Sequence, residues 1–337
     1  MGKKSYWAGL LISVIFLILF LRKIDWPTVG KILGQVELIY ILPLMLVNLL
    51  TTLIRAKRWG VLLRPLKAIP LGELYTATGI GFMANYLLPA RVGEFIRAFL
   101  LGSRAQISKT ASFATVVVEK VFDGFTVMVM FLVVLFLMPF PTGQVSVFNE
   151  RNIKLVGLLS FAFYLSVLGI LLLMFFHNQR VNRLFDFLLK PFPPNLALKV
   201  RRKVDAFIFG LGILRNLRDI ALISFYSALV WAISILLAYF LFFPLGINLS
   251  VLSAVFLTVI LVFGVTIPSA PGFIGTFHWA CAAALMFLGV ETNLAKSYAI
   301  ILWFISFIPI ISLGLFLLWK EGLSFKVLKA DDSEKVS

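Results

Sequence analysis

Polar residues interrupt this chain only briefly. Apolar runs fall at about 5–21, 38–54, 74–102, 111–138, 153–176, 219–243, 250–289 and 297–319. A helix rises ~1.5 Å per residue, so a run of about twenty residues crosses a hydrocarbon core ~30 Å thick. None of the runs alternates polar and apolar residues with period two, which argues against barrel strands. Helices remain as the way to satisfy backbone groups in lipid. The pattern predicts an all-α polytopic membrane protein, a single integral membrane domain over 1–337 with a short polar C-terminal tail at 321–337.

Two of the blocks contain breaks. The first is interrupted at Asn85-Tyr86-Leu87-Leu88-Pro89-Ala90-Arg91-Val92-Gly93-Glu94, with Pro89 and Gly93 as its breaking residues. The second is interrupted by Ile267-Pro268-Ser269-Ala270-Pro271-Gly272-Phe273-Ile274-Gly275, where Pro268, Pro271, Gly272 and Gly275 act together. Proline removes a helical donor and glycine loosens the backbone, so both blocks are expected to divide into half-helices.

Loop charges orient these elements. Arg55, Lys57, Arg58, Arg64 and Lys67 crowd the segment 55–73, and nine basic residues occupy 177–218. Both segments belong in the cytoplasm by the positive-inside rule, whereas the uncharged 244–249 and the nearly neutral 139–152 fit the outside. These assignments agree only if each broken block enters and leaves on the same side. That gives six full transmembrane helices plus two oppositely oriented re-entrant hairpins, in the cytoplasmic (inner) cell membrane with both termini cytoplasmic. The alternative is eight kinked but complete spans, also with both termini inside, and the sequence leaves the two topologies open. Opposed broken helices in corresponding halves are a pointer to a transport site near the midplane.

Composition fits this picture. Of 337 residues, 61% are hydrophobic and 14% charged, with a mean hydropathy of +1.01, far from the roughly one-quarter charged content of soluble domains. The net charge of +16 sits at the ends of apolar runs, where anionic lipid attracts it, and no hydrophilic segment is large enough for a nucleic-acid module. Lys3 and Lys4 ahead of Ser5–Leu21 imitate a signal peptide, but Arg22-Lys23-Ile24-Asp25 offers no small-residue cleavage site, so an uncleaved first span is expected. In the cytoplasmic loop, Val200, Val204, Phe207, Ile208, Leu211 and Leu214 follow helical spacing behind Lys199, Arg201, Arg202 and Lys203. An interfacial amphipathic helix is the simplest reading.

Ionisable residues within the runs are costly in lipid, and they are the functional candidates. Arg91, Glu94 and Arg97 follow the first break at three-residue spacing, able to neutralise one another or to meet a phosphate bidentately. Glu119 and Asp123 lie one turn apart, beside Lys120. They could line a polar cavity or pair with the arginines, and snorkelling to the interface explains them equally well. The second break, with Thr276 and His278, could offer free amides to an anion, although a lone histidine is more often structural. Arg55, Lys57, Arg58 and Trp59 read first as a positive-inside anchor with an interfacial aromatic, and as a phosphate contact second. Cys281 reads as a small buried hydrophobe, and His177 lies far from His278. No metal site and no cofactor are expected, and phosphate-binding loops, nucleophile elbows and zinc helices are missing.

At these residues the chain resembles the integral-membrane, flippase-like region of lysylphosphatidylglycerol synthases. The likeness rests on Arg55-Ala56-Lys57-Arg58-Trp59, on Asn85 through Pro89 with Arg91-Val92-Gly93-Glu94, on Glu119-Lys120-Val121-Phe122-Asp123, and on Pro268-Ser269-Ala270-Pro271-Gly272 with Gly275. Lys120 stands where the family pattern would have arginine. The resemblance implies a lipid translocase moving an anionic or modified phospholipid or an isoprenoid-linked lipid between leaflets. Its headgroup path would hold Asn85, Arg58, Arg91, Glu94, Arg97, Glu119 and Asp123. Fused relatives carry a soluble aminoacyl-transferase domain after the last span; the sequence stops about eighteen residues past Trp319, so that activity is not expected. Stand-alone relatives are linked to other lipids, including polyprenyl-linked sugars and hopanoids. A membrane-embedded lipid-modifying transferase, using Glu119 or Asp123 as base, is one competing reading; a non-catalytic membrane partner of a separately encoded lipid-modifying enzyme is another. The partners in view are membrane lipids, a second copy of the chain, and such an enzyme.

Overall fold

The helices begin and end where the apolar pattern changes. The computed structural model describes residues 3–88, 91–138, 193–210 and 216–323, with scattered positions between 155 and 190. Pro89, segment 139–152, parts of block 153–176 and of segment 177–218 (His177, Leu211 and Leu214 among them), and nearly all of the tail 321–337 lie outside the described residues. Among the described residues all regular structure is helical: α1 (Lys3–Leu21), α2 (Trp26–Gln35), α3 (Leu38–Leu63), α4 (Leu71–Leu87), α5 (Gly93–Ala105), α6 (Lys109–Leu137), α7 (Pro194–Gly210), α8 (Leu217–Phe240), α9 (Val251–Thr266), α10 (Thr276–Phe287) and α11 (Thr292–Lys320). Four of these, α3, α6, α8 with its continuation to Leu245, and α11, are long and apolar enough to cross a membrane, and shorter apolar helices lie among them. The chain is thus a multi-pass helical membrane protein.

Both interrupted blocks divide as expected. Proline alone does not cause this, since Pro43 and Pro309 lie inside continuous helices. What separates the breaks from those prolines is left-handed backbone: Arg91 in the first, and Gly272, Phe273 and Gly275 in the second, all have positive φ. At Gly275 the chain also passes against α1, where an added Cβ would lie 2.4 Å from the Ser13 carbonyl oxygen.

The two halves of each block fold back on each other. In the first pair Gly81 faces Gly93 and Arg97, and Asn85 reaches Glu94, so α4 and α5 run antiparallel. In the second pair Gly264 faces Ala280, and the rings of Phe256 and Phe287 lie 5.6 Å apart, which again sets α9 and α10 antiparallel. The half-helices are short. The 17 residues of α4 span ~26 Å and the 12 of α10 only ~18 Å, against a ~30 Å hydrocarbon core.

Polar contacts define two ends of the bundle. At one, Lys67 donates to the Ala105 carbonyl (3.0 Å), Arg104 pairs with Glu321 (2.9 Å), and Arg64 pairs with Asp219. This basic end gathers both mouths of the α4–α5 pair. At the other, the Asp25 amide donates to Asn293 (3.1 Å) and Lys296 donates to the Arg22 carbonyl (2.6 Å). Each pair also has its own apolar core. Trp59, Leu62, Ile80, Leu101, Val118 and Leu317 pack around α4–α5; Leu237, Leu257, Leu285, Tyr298 and Ile305 pack around α9–α10.

Two elements depart from the sequence expectation. Helix α2 is too short and too polar to register as an apolar run, and it forms by burying Val29 and laying Ile32 and Leu33 on the second core. Helix α3 continues to Leu63, past the expected end at 54, through Arg55 and Arg58. In the basic loop, α7 packs Ile208 inward, and Gly210 approaches the Ala111 carbonyl at the start of α6 closely, with an added Cβ at 2.5 Å.

Candidate functional site

The continuation of α3 delivers Arg58 to the interior. Its side chain is fully buried, as is that of Trp59. Neither is an interfacial anchor, which corrects the first reading at these two positions; Lys57 beside them is exposed. The positive-inside pattern misleads here because Arg58 finds carboxylates inside the protein. Nη1 donates to Asp123 Oδ1 (2.6 Å) and Ser227 Oγ (2.8 Å), and Nη2 donates to Glu119 Oε1 (2.7 Å) and Asp123 Oδ2 (3.2 Å). Trp59 Nε1 donates to Thr115 Oγ1 (3.0 Å), which holds α3 against α6.

Helix α5 brings the second arginine. Arg97 Nη1 donates to Glu119 Oε2 (3.1 Å), and Nη2 lies 2.7 Å from Glu94 Oε2. Lys120 closes the ring, 2.8 Å from Glu94 Oε1 and 4.0 Å from Asp123 Oδ2. Asn85, at the end of α4, donates to Glu94 Oε1 (3.1 Å). Arg58, Arg97 and Lys120 thus alternate with Glu119, Glu94 and Asp123 in a charge-balanced circuit. Glu119 is wholly buried and Asp123 nearly so, which rules out snorkelling for both. A lone charge here would be strongly unfavourable in lipid, and closing the circuit is what makes six of them tolerable.

Aromatic rings line the circuit. Phe82 on α4 has the Arg55 guanidinium 4.8 Å from its centroid, Arg97 at 5.6 Å and the Lys120 ammonium at 5.7 Å. Arg97 also lies 5.0 Å from the Trp59 ring. Such contacts favour cations over bare hydrocarbon.

Arg91 departs from expectation. Its positive φ places it ahead of α5, so it does not share a helix face with Glu94 and does not pair with it. It reaches instead across to the second break, donating to the Val265 carbonyl (2.8 Å), with its guanidinium 5.4 Å from the Phe273 ring. Tyr86 meets Phe273 edge-on at 6.4 Å and Phe307 at 4.5 Å. The two breaks therefore touch, and the ion circuit lies beside that junction.

The second break is mostly committed to the fold. The Ala270 amide donates to Ser13 Oγ (2.6 Å), the Phe273 amide to the Ala270 carbonyl (3.1 Å), and Trp303 Nε1 to the Gly272 carbonyl (2.8 Å). His278 is buried among Phe20, Phe277 and Trp303, and Cys281 is buried. Among the described residues, no three His, Cys, Asp or Glu side chains converge to hold a metal ion.

Seven candidates were legible along the chain, and six of them, Arg58, Asn85, Glu94, Arg97, Glu119 and Asp123, meet in one cluster. Ser227 gave no signal, since one serine in an apolar helix is commonplace. Phe82 and Tyr86 gave none either; only their spacing of one helical turn, beside a break that ends in Arg91, could have singled them out.

Similar proteins extend this description. A 124-residue stretch is 32% identical to the glycosyltransferase AglD of Haloferax volcanii, covering 36% of the chain but 19% of that protein. A UPF0104 membrane protein of Methanocaldococcus jannaschii is 24% identical over 75% of the chain and 76% of its own length. Another, from Methanothermobacter thermautotrophicus, is 24% identical over 90% of the chain and 92% of its own length. No solved structure matches the chain. The family model described as lysylphosphatidylglycerol synthase TM region matches residues 6–314, and with Arg58, Glu94, Arg97, Glu119 and Asp123 all inside that span, the chain belongs to this family.

Proposed function

We propose that the protein is a lipid translocase, moving an anionic or modified phospholipid or an isoprenoid-linked lipid between leaflets. One observation carries the reading: a buried circuit of charges lies beside the contact between two oppositely opening broken helices. Packed apolar residues of similar volume are often as stable as buried ion pairs, so stability alone does not account for six charges here. Charge retained at such depth fits a route for a polar headgroup. Membership of the family supports the same reading.

The topology that goes with it has six full spans and two re-entrant pairs, α4–α5 opening to the cytoplasm and α9–α10 to the exterior, in the cytoplasmic membrane. The gathering of Lys67, Arg104 and Arg64 at one end supports a cytoplasmic assignment for that end. Cysteines placed singly at Lys67, Gln106 and Gly246 test it. A membrane-impermeant thiol reagent added to intact cells should label the Gly246 site and spare the other two. Equal labelling of Lys67 and Gln106 with Gly246 would reject the topology.

Transport is tested in proteoliposomes carrying fluorescent phospholipid and isoprenoid-phosphate probes, read by chemical quenching of the outer leaflet. Wild type should speed leaflet exchange of at least one anionic probe, and the Glu94→Gln variant should slow it. Exchange at the protein-free rate for every probe would remove the translocase reading.

A second reading is a membrane partner of a separately encoded transferase, favoured by the match to a protein named as a glycosyltransferase. Chemistry by this chain is less well supported. Both oxygens of Glu119 and both of Asp123 face guanidinium groups, which leaves neither carboxylate free to act as a base.

A further inference from the structure

Five cations stand close to the junction of the two breaks, Arg55, Arg58, Arg91, Arg97 and Lys120, against the three carboxylates of Glu94, Glu119 and Asp123. The circuit of six consumes three of each sign. Two positive charges remain, and they are those of Arg55 and Arg91. Among the described residues Arg55 has no carboxylate partner, and its guanidinium rests on the Phe82 ring at 4.8 Å. Arg91 has none either; it gives Nη2 to the Val265 carbonyl and covers Phe273.

Tyr86 links the two. It stands one helical turn after Phe82, the ring under Arg55, and its own ring meets that of Phe273, the ring under Arg91. Its hydroxyl makes no hydrogen bond among the described residues. Ser269 Oγ, on the segment between Arg91's two contacts Val265 and Phe273, is buried and likewise unpartnered. Two surplus cations and two idle hydroxyls therefore occur where the broken helices touch.

We propose, building on the translocase reading, that Arg55 and Arg91 with Tyr86 seat a lipid headgroup bearing two negative charges on phosphate, a phosphomonoester or diphosphate. Surplus positive charge within a bilayer calls for a counter-anion of matching valence. A phosphodiester supplies one negative charge, whereas a phosphomonoester carries about −1.5 to −2 near neutral pH. Two guanidinium forks can each offer paired N–H donors to phosphate oxygens, with the Tyr86 hydroxyl as a further donor. A headgroup that adds an amine to its phosphate brings a cation into a site already rich in them, so aminoacylated lipids are disfavoured cargo. This separates labour within the site: the balanced circuit lines the route and braces the helices that flank it, and the unbalanced pair reads the lipid.

The test uses the full chain in nanodiscs of a neutral phosphatidylcholine. Phosphatidic acid, a polyprenyl monophosphate, phosphatidylglycerol and lysylphosphatidylglycerol are titrated in, with binding read by native mass spectrometry. At pH 8 one or both monoesters should bind at least about tenfold tighter than phosphatidylglycerol, and the aminoacylated lipid weakest. Which monoester binds identifies a glycerolipid or isoprenoid source. The preference should shrink at pH 5, below the second phosphate pKa of ~6. R55Q and R91Q should each reduce it about tenfold; R55K and R91K, which keep the charge but lose the fork and report on folding, should keep the order of preference while binding every phosphate lipid more weakly. R104Q, at the basic end, should leave it unchanged. Equal affinity for monoesters and phosphatidylglycerol, or a preference untouched in folded R55Q and R91Q, overturns the proposal. Preferential binding without leaflet exchange would keep the seat and discard the translocase; exchange of all lipids without charge preference would do the reverse.

Discussion

Arg58→Met should leave little folded protein in detergent, with a loss of about 3–5 kcal/mol from the unpaired charges alone. The magnitude follows from how much one guanidinium does. It is fully buried and holds Glu119, Asp123 and Ser227 at 2.6–2.8 Å, joining α3 to α6 and α8. Removing it strands two carboxylates in an apolar interior, where each retains only its weaker partners, Arg97 and Lys120. Lysine is a poor substitute, because one ammonium cannot present two parallel donors to Asp123 while also reaching Glu119. The loss should be partly reversible by chemistry rather than by shape. Arg58→Met combined with Asp123→Asn restores the balance, leaving Arg97 and Lys120 with Glu94 and Glu119, and should recover part of the folded yield. Monodispersity on size exclusion and thermal unfolding of the purified variants decide this. A single variant that melts with wild type would mean that the circuit contributes nothing to the fold.

That distinction bears on how the site works. If the balanced circuit both lines the route and braces it, then changing it disturbs transport together with the helices, and changing Arg55 or Arg91 disturbs transport with the helices intact. Folding yield and lipid preference should therefore separate along the line between residues with a carboxylate partner and those without. The contact of Arg91 with the Val265 carbonyl adds a physical link between the breaks. Any motion that opens one pair of half-helices against the other must break or carry that bond.

Much of the helical layout was readable from the apolar runs, because a membrane-spanning helix needs a long apolar stretch and little else. The runs near 111–138, 219–243 and 297–319 became α6, α8 and α11 within a few residues. The breaks were readable too, since prolines and glycines cluster there. What the runs did not disclose is where their charged ends go. Arg58 meets Asp123 across 65 residues and Ser227 across 169, and no local pattern reports such a meeting. A basic helix end resembles an interfacial anchor whether its arginines reach water or a buried carboxylate. Family resemblance supplied the missing hint, since its short motifs around Arg58, Glu94 and Glu119 prove to be neighbours in space. It did not foresee Arg91, whose left-handed backbone removes it from the helix face that its spacing suggests.

Gly93→Ala should rank next to the loss of Arg58, lowering stability by about 1–3 kcal/mol although alanine is the better helix former. The reason is the closeness of α4 and α5. A Cβ on Gly93 would lie 2.0 Å from the Gly81 carbonyl oxygen, 2.6 Å from the Asn85 amide nitrogen and 2.7 Å from Asn85 Oδ1. Two of these are backbone atoms, so no rotamer change relieves the clash and the helices must separate. Close crossings through small residues are how helices pack tightly in lipid, and Gly81 answers Gly93 from the other side, with an added Cβ 2.7 Å from the Arg97 Cβ. Separation would carry Glu94 and Arg97 away from Asn85 and Glu119, so the steric fault becomes an electrostatic one. Alanine's advantage over glycine in a helix, about 1 kcal/mol at most and less in a first turn, is too small to compensate. Gly30→Ala provides the contrast: nothing lies within 4 Å of its added Cβ, so it should be neutral or slightly stabilising. Thermal unfolding of both variants beside wild type tests the pair. A Gly93→Ala protein that melts at or above wild type would show that α4 and α5 do not cross so closely, and the ion circuit, which depends on that crossing, would have to be redrawn with it.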